Sequence, residues 1–270
     1  MDARQSLAAE YSAKSVAYAR HWSPVLRPMA LPLLQALPLR MAGRILDVGA
    51  GTGALLTDLK SAAPGAIVIG VDRSEGMLRL AKEYGHELLA VTDAQRLSIR
   101  SGTIDAVVLI FVLFHLPEPS LGLEEAYRVL RGDGMVGIAT WGHDPGSPGL
   151  SIWRDELDRE GAGPDPRDPG VMQQASMDTP EKLERLLGAA GFASTNVWST
   201  NVAHQWTLDG LLAMQLGCGM PARRLATLPT DKGAECQARV RTRLERLKAS
   251  ELEYRAEVLL AVASRPNRPR

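Results

Sequence analysis

The segment Arg44-Ile45-Leu46-Asp47-Val48-Gly49-Ala50-Gly51-Thr52-Gly53 constrains this chain more than any other, because it reads as a buried strand running into a glycine turn and then a helix. Ile45, Leu46 and Val48 suit a strand covered on both faces. Gly49, Gly51 and Gly53, with Ala50 among them, allow a sharp backbone reversal and leave amide groups open to a ligand. The spacing departs by one position from the G-x-G-x-x-G turn of dinucleotide enzymes, which weakens a nicotinamide-dependent dehydrogenase reading. Asp47 narrows the ligand further. A carboxylate two residues before the first glycine repels a pyrophosphate but suits a ligand carrying an ammonium and a sulfonium, such as S-adenosylmethionine (SAM).

A second apolar run, Ile67 to Val71, ends in Asp72-Arg73. An acid at the end of a second strand, about 20 residues past the glycine turn, is placed to accept hydrogen bonds from both hydroxyls of a ribose. The competing reading makes Asp72 a helix cap, since Ser74-Glu75 also look like a first turn. Glu87 to Val91 reads as a third strand leading into Thr92-Asp93-Ala94-Gln95, and Ile104 to Ile110 as a fourth.

Taken in order, ILDVGAGTG, VIGVD, TDAQRL, GTIDAVVLIFVLFHLPEP and EEAYRVLRGDGMVGIATW resemble the class I SAM-dependent methyltransferases. The likeness is strongest to the small-molecule group related to ubiquinone and menaquinone biosynthesis methyltransferases, and it covers roughly residues 40 to 141. It implies an α/β fold, a Rossmann-like seven-stranded, mostly parallel sheet whose last strand lies antiparallel between the fifth and sixth. It also implies SAM as cofactor, with Asp47, Gly49, Gly51 and Gly53 around the methionine part and ribose. Asp93 then meets the adenine amino group and the Ala94 amide its ring, while Phe111 and Val112 border the methionine carboxylate.

Changes in periodicity suggest the organisation. Residues 1–38 read as two helices, Ala3 to Arg20 and Pro24 to Leu37, with Ser23 as cap and Pro24 at the first helical position. They are expected to form a lid, with Tyr18 against the cofactor and Trp22 against the acceptor. Residues 39–141 supply the SAM-binding core, continued by 179–206 and closed by a final strand and tail in 251–270. An insertion at 142–178 and a helical cap at 207–250 lie outside the minimal fold and should shape the acceptor pocket. Trp141, His143, Trp206 and Met214 are its candidate acceptor-binding residues, within a Met- and Trp-containing population that also includes Trp153 and Met177. Arg residues in 237–248 read as a solvated helix face, and Arg265 to Arg270 as a frayed tail.

Methyl transfer from a sulfonium needs positioning above all, and a base only when the acceptor arrives protonated. His115, after the fourth strand, is the candidate catalytic residue among His21, His115, His143 and His204, whereas His86 reads as structural. No Asn/Asp-Pro-Pro-Tyr/Phe sequence follows the fourth strand, which disfavours nucleic-acid and protein-amide acceptors and leaves a small organic molecule. The alternative is a SAM-binding protein of this fold that catalyses a non-methylating reaction such as a cyclisation.

Thirty-one Lys and Arg balance 31 Asp and Glu, so no summed field favours nucleic acid or an anionic membrane. Cys218 and Cys236 stand far apart without a His pair, which argues against a metal site. No apolar run approaches a membrane span, and Met1 to Glu10 lack the apolar core of a signal peptide. A cytoplasmic, bacterial protein, monomeric or homodimeric, is the expectation.

Overall fold

A computed structural model describes residues 3–267. Its seven strands are β1 (Arg44–Val48), β2 (Ile67–Asp72), β3 (Leu89–Val91), β4 (Ile104–Ile110), β5 (Leu130–Trp141), β6 (Ala193–Gln205) and β7 (Glu253–Ser264). They form one sheet in the order β3-β2-β1-β4-β5-β7-β6. The first five run parallel, and β7 pairs antiparallel with both β5 and β6. The expected Rossmann-like sheet and its antiparallel last strand are therefore present. β1 and β4 are covered on both faces, as continuous apolar strands require. Strand order reverses between β1 and β4, which opens a crevice at the carboxyl ends of these two strands.

Several local expectations need correction. β3 is shorter than 87–91, because the Leu89 amide turns back onto the Glu87 carbonyl and only three residues pair with β2. The N-terminal segment is not two helices separated at Ser23. It is helical over Ala3–Ala13 and Ser15–Ala17, passes through a π-helical turn at Tyr18–Trp22, and continues as Ser23–Ala36. Pro24 lacks an amide hydrogen and follows directly on the π turn, whose last bond runs from the Ser23 amide to the Tyr18 carbonyl, and Ser23 Oγ bonds Thr52 Oγ1 at 3.2 Å instead of capping.

Arg265 is docked rather than frayed. Its guanidinium donates to the carbonyls of Tyr127, Arg128 and Leu130 at the end of helix Pro119–Val129, and lies 4.7 Å over the Tyr127 ring. Carbonyls unpaired at a helix end attract such a cation. Arg268 and Arg270, the remainder of that tail's charge, lie outside the described residues.

The two insertions fold onto each other. Helix Pro148–Arg159 is capped by Ser147 and buries Trp153, whose Nε1 donates to Gln215 Oε1 at 2.5 Å. Arg239 and Arg243 of helix Thr230–Leu244 reach the buried Glu156 at 2.8 and 2.9 Å. This Arg face is thus an ion-paired seam, not a purely solvated one, because Glu156 needs partners where water is excluded. Trp153 and Met177, both fully buried, are core residues. Among the described residues no helix is long and apolar enough to cross a membrane, and no His/Cys/Asp/Glu group is placed to hold a metal.

Candidate functional site

The turn after β1 is built by left-handed glycines. Gly49, Gly51 and Gly53 have φ of 79°, 54° and 79°, values that disfavour any side chain. The amides of Gly49 and Ala50 bond the Val71 carbonyl at 2.8 and 2.9 Å, which fixes the turn against the end of β2. A Cβ on Gly51 would meet nothing closer than the Gly49 carbonyl at 4.0 Å, so that face is open. On Gly53 a Cβ would strike His86 Cδ2 at 2.6 Å; His86 is packed under the turn and has the structural placement expected of it.

Asp72 organises the same turn from β2. Its Oδ2 accepts from the Gly51 amide at 2.9 Å and its Oδ1 from the Ser74 amide at 2.7 Å. The following helix is capped by Ser74, not by Asp72. Burial raises the Asp72 carboxyl, and the amides of Ser74 and Gly51 pull it back. Asp47 is only 2% exposed, and burial together with the Asp72 charge pushes its carboxyl up to about 7.

Gly49, Gly51, Asp72, Arg73, Asp93 and Ala94 share a narrow cleft. At its far end Asp93 binds two guanidiniums, Arg4 at 3.4 Å and Arg73 at 3.2 Å. A smaller pocket beside the turn is lined by Tyr18, Asp47, Ala50, Thr52 and Phe111. Gly53 belongs to neither wall, since it faces His86.

A second cavity, of about 420 Å³, lies beyond the sheet edge and is walled by the insertions. Trp22, Trp141, His143, Trp206 and Met214 line it, so the five candidate acceptor residues are brought together. Its aromatic wall is continuous: Phe111 packs on Trp141 with centroids 4.5 Å apart, and Tyr254 packs on Trp22 at 5.5 Å. His204 packs against Trp206 at 4.3 Å, and neither it nor His21 lines this cavity.

Leu7, Tyr11, Tyr18, Phe111 and His115 line both the cleft and the larger cavity, and so form the junction between them. Phe111 holds an unusual backbone, φ 53°, at the end of β4. His115 Nδ1 faces the Val171 carbonyl at 3.4 Å, and its Nε2 lies 2.9 Å from the Tyr11 hydroxyl. A carbonyl can only accept, so Nδ1 carries the proton and Nε2 accepts from Tyr11. Burial dominates both groups, lowering His115 to about 4 and raising Tyr11 to about 12, so both are neutral at physiological pH. Burial also raises Tyr18 well above its ordinary value.

Tyr11, with Tyr18, His21 and Trp22, is one of the lid residues expected from sequence, but its bond to His115 is not, and Tyr254 and Arg4 are absent from that reading. Tyr11 precedes Tyr18 by seven residues, two helical turns, so the spacing groups them on one face. Arg4 and Tyr254 have no such signal, since their partners lie 89 residues away in Asp93 and across the sheet in Trp22.

Residues 46–138, about a third of the chain, match the family model described as a methyltransferase domain. Among curated proteins the chain is similar to malonyl-[acyl-carrier protein] O-methyltransferase of Geobacter sulfurreducens, at 33% identity over 57% of each chain. It is also similar to demethylmenaquinone methyltransferase of Beutenbergia cavernae, at 29% identity over 74% of this chain and 81% of that one. The matched region spans only 57% of the first relative and 54% of another demethylmenaquinone methyltransferase, from Streptomyces avermitilis. The YcgJ protein of Bacillus subtilis shares the fold with a TM-score of 0.57 at 18% identity, covering 89% of this chain and 100% of that one. The [4+2]-cyclase SpnF does so at 0.55 and 18%, covering 89% and 82%. Over residues 46–138 the chain thus resembles the class I SAM-dependent methyltransferases, whose cofactor is S-adenosylmethionine.

Proposed function

We propose that this protein transfers the methyl group of SAM to a small, fairly apolar organic acceptor. One observation carries the reading: the glycine-turn cleft and the larger cavity meet at a shared wall of Leu7, Tyr11, Tyr18, Phe111 and His115. A cofactor held on one side of that wall presents its reactive end to a molecule held on the other. When bound, SAM supplies a methyl on a sulfonium, open to in-line displacement.

The residues of the cleft fit that group. Asp47, whose burial disfavours an uncompensated negative charge, suits the ammonium of the methionine part. Gly49, Ala50, Gly51 and Gly53 form the turn, and Asp72 with Arg73 borders the ribose. Asp93 and the Ala94 amide serve the adenine, while Tyr18 and Phe111 close over the methionine end. The open face of Gly51 leaves room for a ligand where any side chain would stand.

On the acceptor side, Trp22, Trp141, His143, Trp206 and Met214 form an adaptable apolar wall. We assign His115, supported by Tyr11, to the catalytic position. Nε2 holds the Tyr11 hydrogen, which leaves the Tyr11 oxygen to accept a donor hydrogen of the acceptor, and as the nucleophile reacts that proton passes to Tyr11 while the Tyr11 proton passes to Nε2. Holding two reactants in line across this junction supplies on the order of 7 to 11 kcal/mol of the barrier. Residues 1–38 act as a lid, and 142–178 with 207–250 as the acceptor cap.

The test is formation of S-adenosylhomocysteine from SAM across a panel of small aromatic and aliphatic acceptors. A protein that binds SAM, yields no S-adenosylhomocysteine with any of them and rearranges an acceptor instead belongs to the cyclase reading, which the fold shared with SpnF keeps open.

A further inference from the structure

The larger cavity has a cationic corner that methyl transfer itself does not use. Lys14, Arg167 and Arg223 line it together with Glu10. Arg223, 8% exposed, is saturated: Nε and Nη2 donate to the two carboxylate oxygens of Asp165 at 2.9 and 2.7 Å, and Nη1 to Glu10 Oε1 at 3.1 Å. Arg167 grips the same Asp165 Oδ2 through Nε and Nη2, at 3.3 and 3.1 Å. Lys14 Nζ bonds Glu10 Oε1 at 3.1 Å.

Three cations therefore share two carboxylates. Burial pushes the Asp165 carboxyl up, but the hydrogen bonds from Arg223 and Arg167 hold it well below the usual carboxylate range, so it is ionised and its charge is already spent. One positive charge is left over in a half-buried corner, where water screens it poorly. The outer Nη1 of Arg167 bonds none of the described residues, so half of a planar fork suited to carboxylate geometry is unused beside the cavity. The corner also adjoins the junction. Helix Ala3–Ala13, which carries Glu10 and Tyr11, packs on Pro169–Val171, and the Val171 carbonyl is the partner of His115.

We propose that the acceptor is an organic acid whose carboxylate docks on Arg167 and Lys14 while its apolar body lies against Trp22 and Trp141. This rests on the methyl-transfer reading and names the substrate class of the same site. Asp144, Glu251, Glu253 and Glu257 also line the cavity and would instead attract an amine. These carboxylates already have partners: the Gly146, Lys248 and His143 amides serve Asp144, Glu251 and Glu257, and Arg255 pairs with Glu253 at 2.6 Å. Amide partners hold Asp144, Glu251 and Glu257 without cancelling their charge, so they repel a ligand carboxylate and direct it to the Arg167 corner, where three cations meet two acids.

Binding decides the matter without turnover. The protein is saturated with S-adenosylhomocysteine and titrated calorimetrically with naphthylacetate, its uncharged amide naphthylacetamide, and naphthylethylamine. The acid should bind about tenfold or more tighter than the amide, the expected worth of a hydrogen bond to a charged group. Arg167→Gln should erase that difference, Arg167→Lys should keep most of it, and both should bind S-adenosylhomocysteine as the parent does. Equal affinity for acid and amide, tightest binding of the amine, no binding of the acid at millimolar concentration, or an acid preference that survives Arg167→Gln would each overturn the proposal. Loss of S-adenosylhomocysteine binding by the parent protein would instead sink the methyl-transfer reading.

Discussion

The Tyr11 hydroxyl donates to His115 Nε2 at 2.9 Å and so ties the first helix of the chain to the segment that follows β4. The bond crosses the junction of the two cavities, and both partners are held neutral by burial. His115 can thus accept one hydrogen bond without ever carrying charge near pH 7.

Tyr11→Phe removes the donor while keeping the ring that packs edge-on against Tyr18 and His115. Folding stability should fall by about 1 kcal/mol, the usual net value of one hydrogen bond. Turnover should fall by about tenfold or more, with SAM affinity little changed. Steady-state measurement of S-adenosylhomocysteine release separates the two effects, and an unchanged kcat would remove the pair from the chemistry.

Asp47 predicts how cofactor binding depends on pH. In the ligand-free protein its carboxyl is raised to about 7, and an ammonium beside it would favour the ionised form. SAM affinity should therefore rise with pH up to about 7 and level off above, falling by up to about tenfold per unit below. The raised value also means that the ligand-free fold loses stability as pH climbs from the ordinary carboxylate range to 7. Calorimetry in buffers of different ionisation heat should detect close to one proton released on binding near pH 6, and Asp47→Asn should abolish that release.

The glycines of the turn should separate fold from binding. In Gly49→Ala the new Cβ would lie 2.5 Å from Val112 Cγ2, so thermal stability should drop sharply. Gly51→Val meets open space instead; its left-handed backbone should cost about 1 to 3 kcal/mol, and its main effect should be loss of SAM binding. Melting curves with and without S-adenosylhomocysteine distinguish them. A Gly51→Val protein stabilised by ligand as much as the parent would make the turn purely structural.

Every residue of helix Ala3–Ala13 keeps some exposure, even Tyr11 whose hydroxyl points inward, and the helix is fastened by polar ties: Arg4 to Asp93, Glu10 to Arg223, Tyr11 to His115 and Ser12 to Ser74. Elements held this way open at low cost. Amides of residues 8 to 24 should gain hydrogen-exchange protection when S-adenosylhomocysteine binds, more than those of helix Pro119–Val129. Equal protection with and without ligand would make this a fixed wall.

The cleft was legible because its parts are local: a strand, a glycine turn and acids at strand ends are each written within ten residues. Asp72 follows from its place at a strand end and Asp47 from its charge beside the glycines, whereas Asp93 follows only from the family resemblance. The junction was less legible, because Tyr11 meets His115 across 104 residues and no pattern in either segment names the other. The helix boundary at Ser23 misled for a physical reason. Ser-Pro is a start signal only where a helix begins, and here the chain is already helical and carries the signal through a π turn. Arg239 and Arg243 read as solvated because Glu156, their partner, lies in a different insertion.

Phe111 lines the cleft, the pocket beside the turn and the larger cavity, and it does so in a left-handed conformation that a bulky residue adopts only under compulsion. Such a residue costs about 1 to 3 kcal/mol relative to a relaxed one. Glycine would relax the backbone but strip the ring from Trp141, and a buried ring is worth about 3 to 5 kcal/mol, more than the strain returns. A laboratory population evolved for heat resistance without an activity screen should therefore keep an aromatic ring at this position, so the awkward angle is a burden that packing alone is enough to sustain.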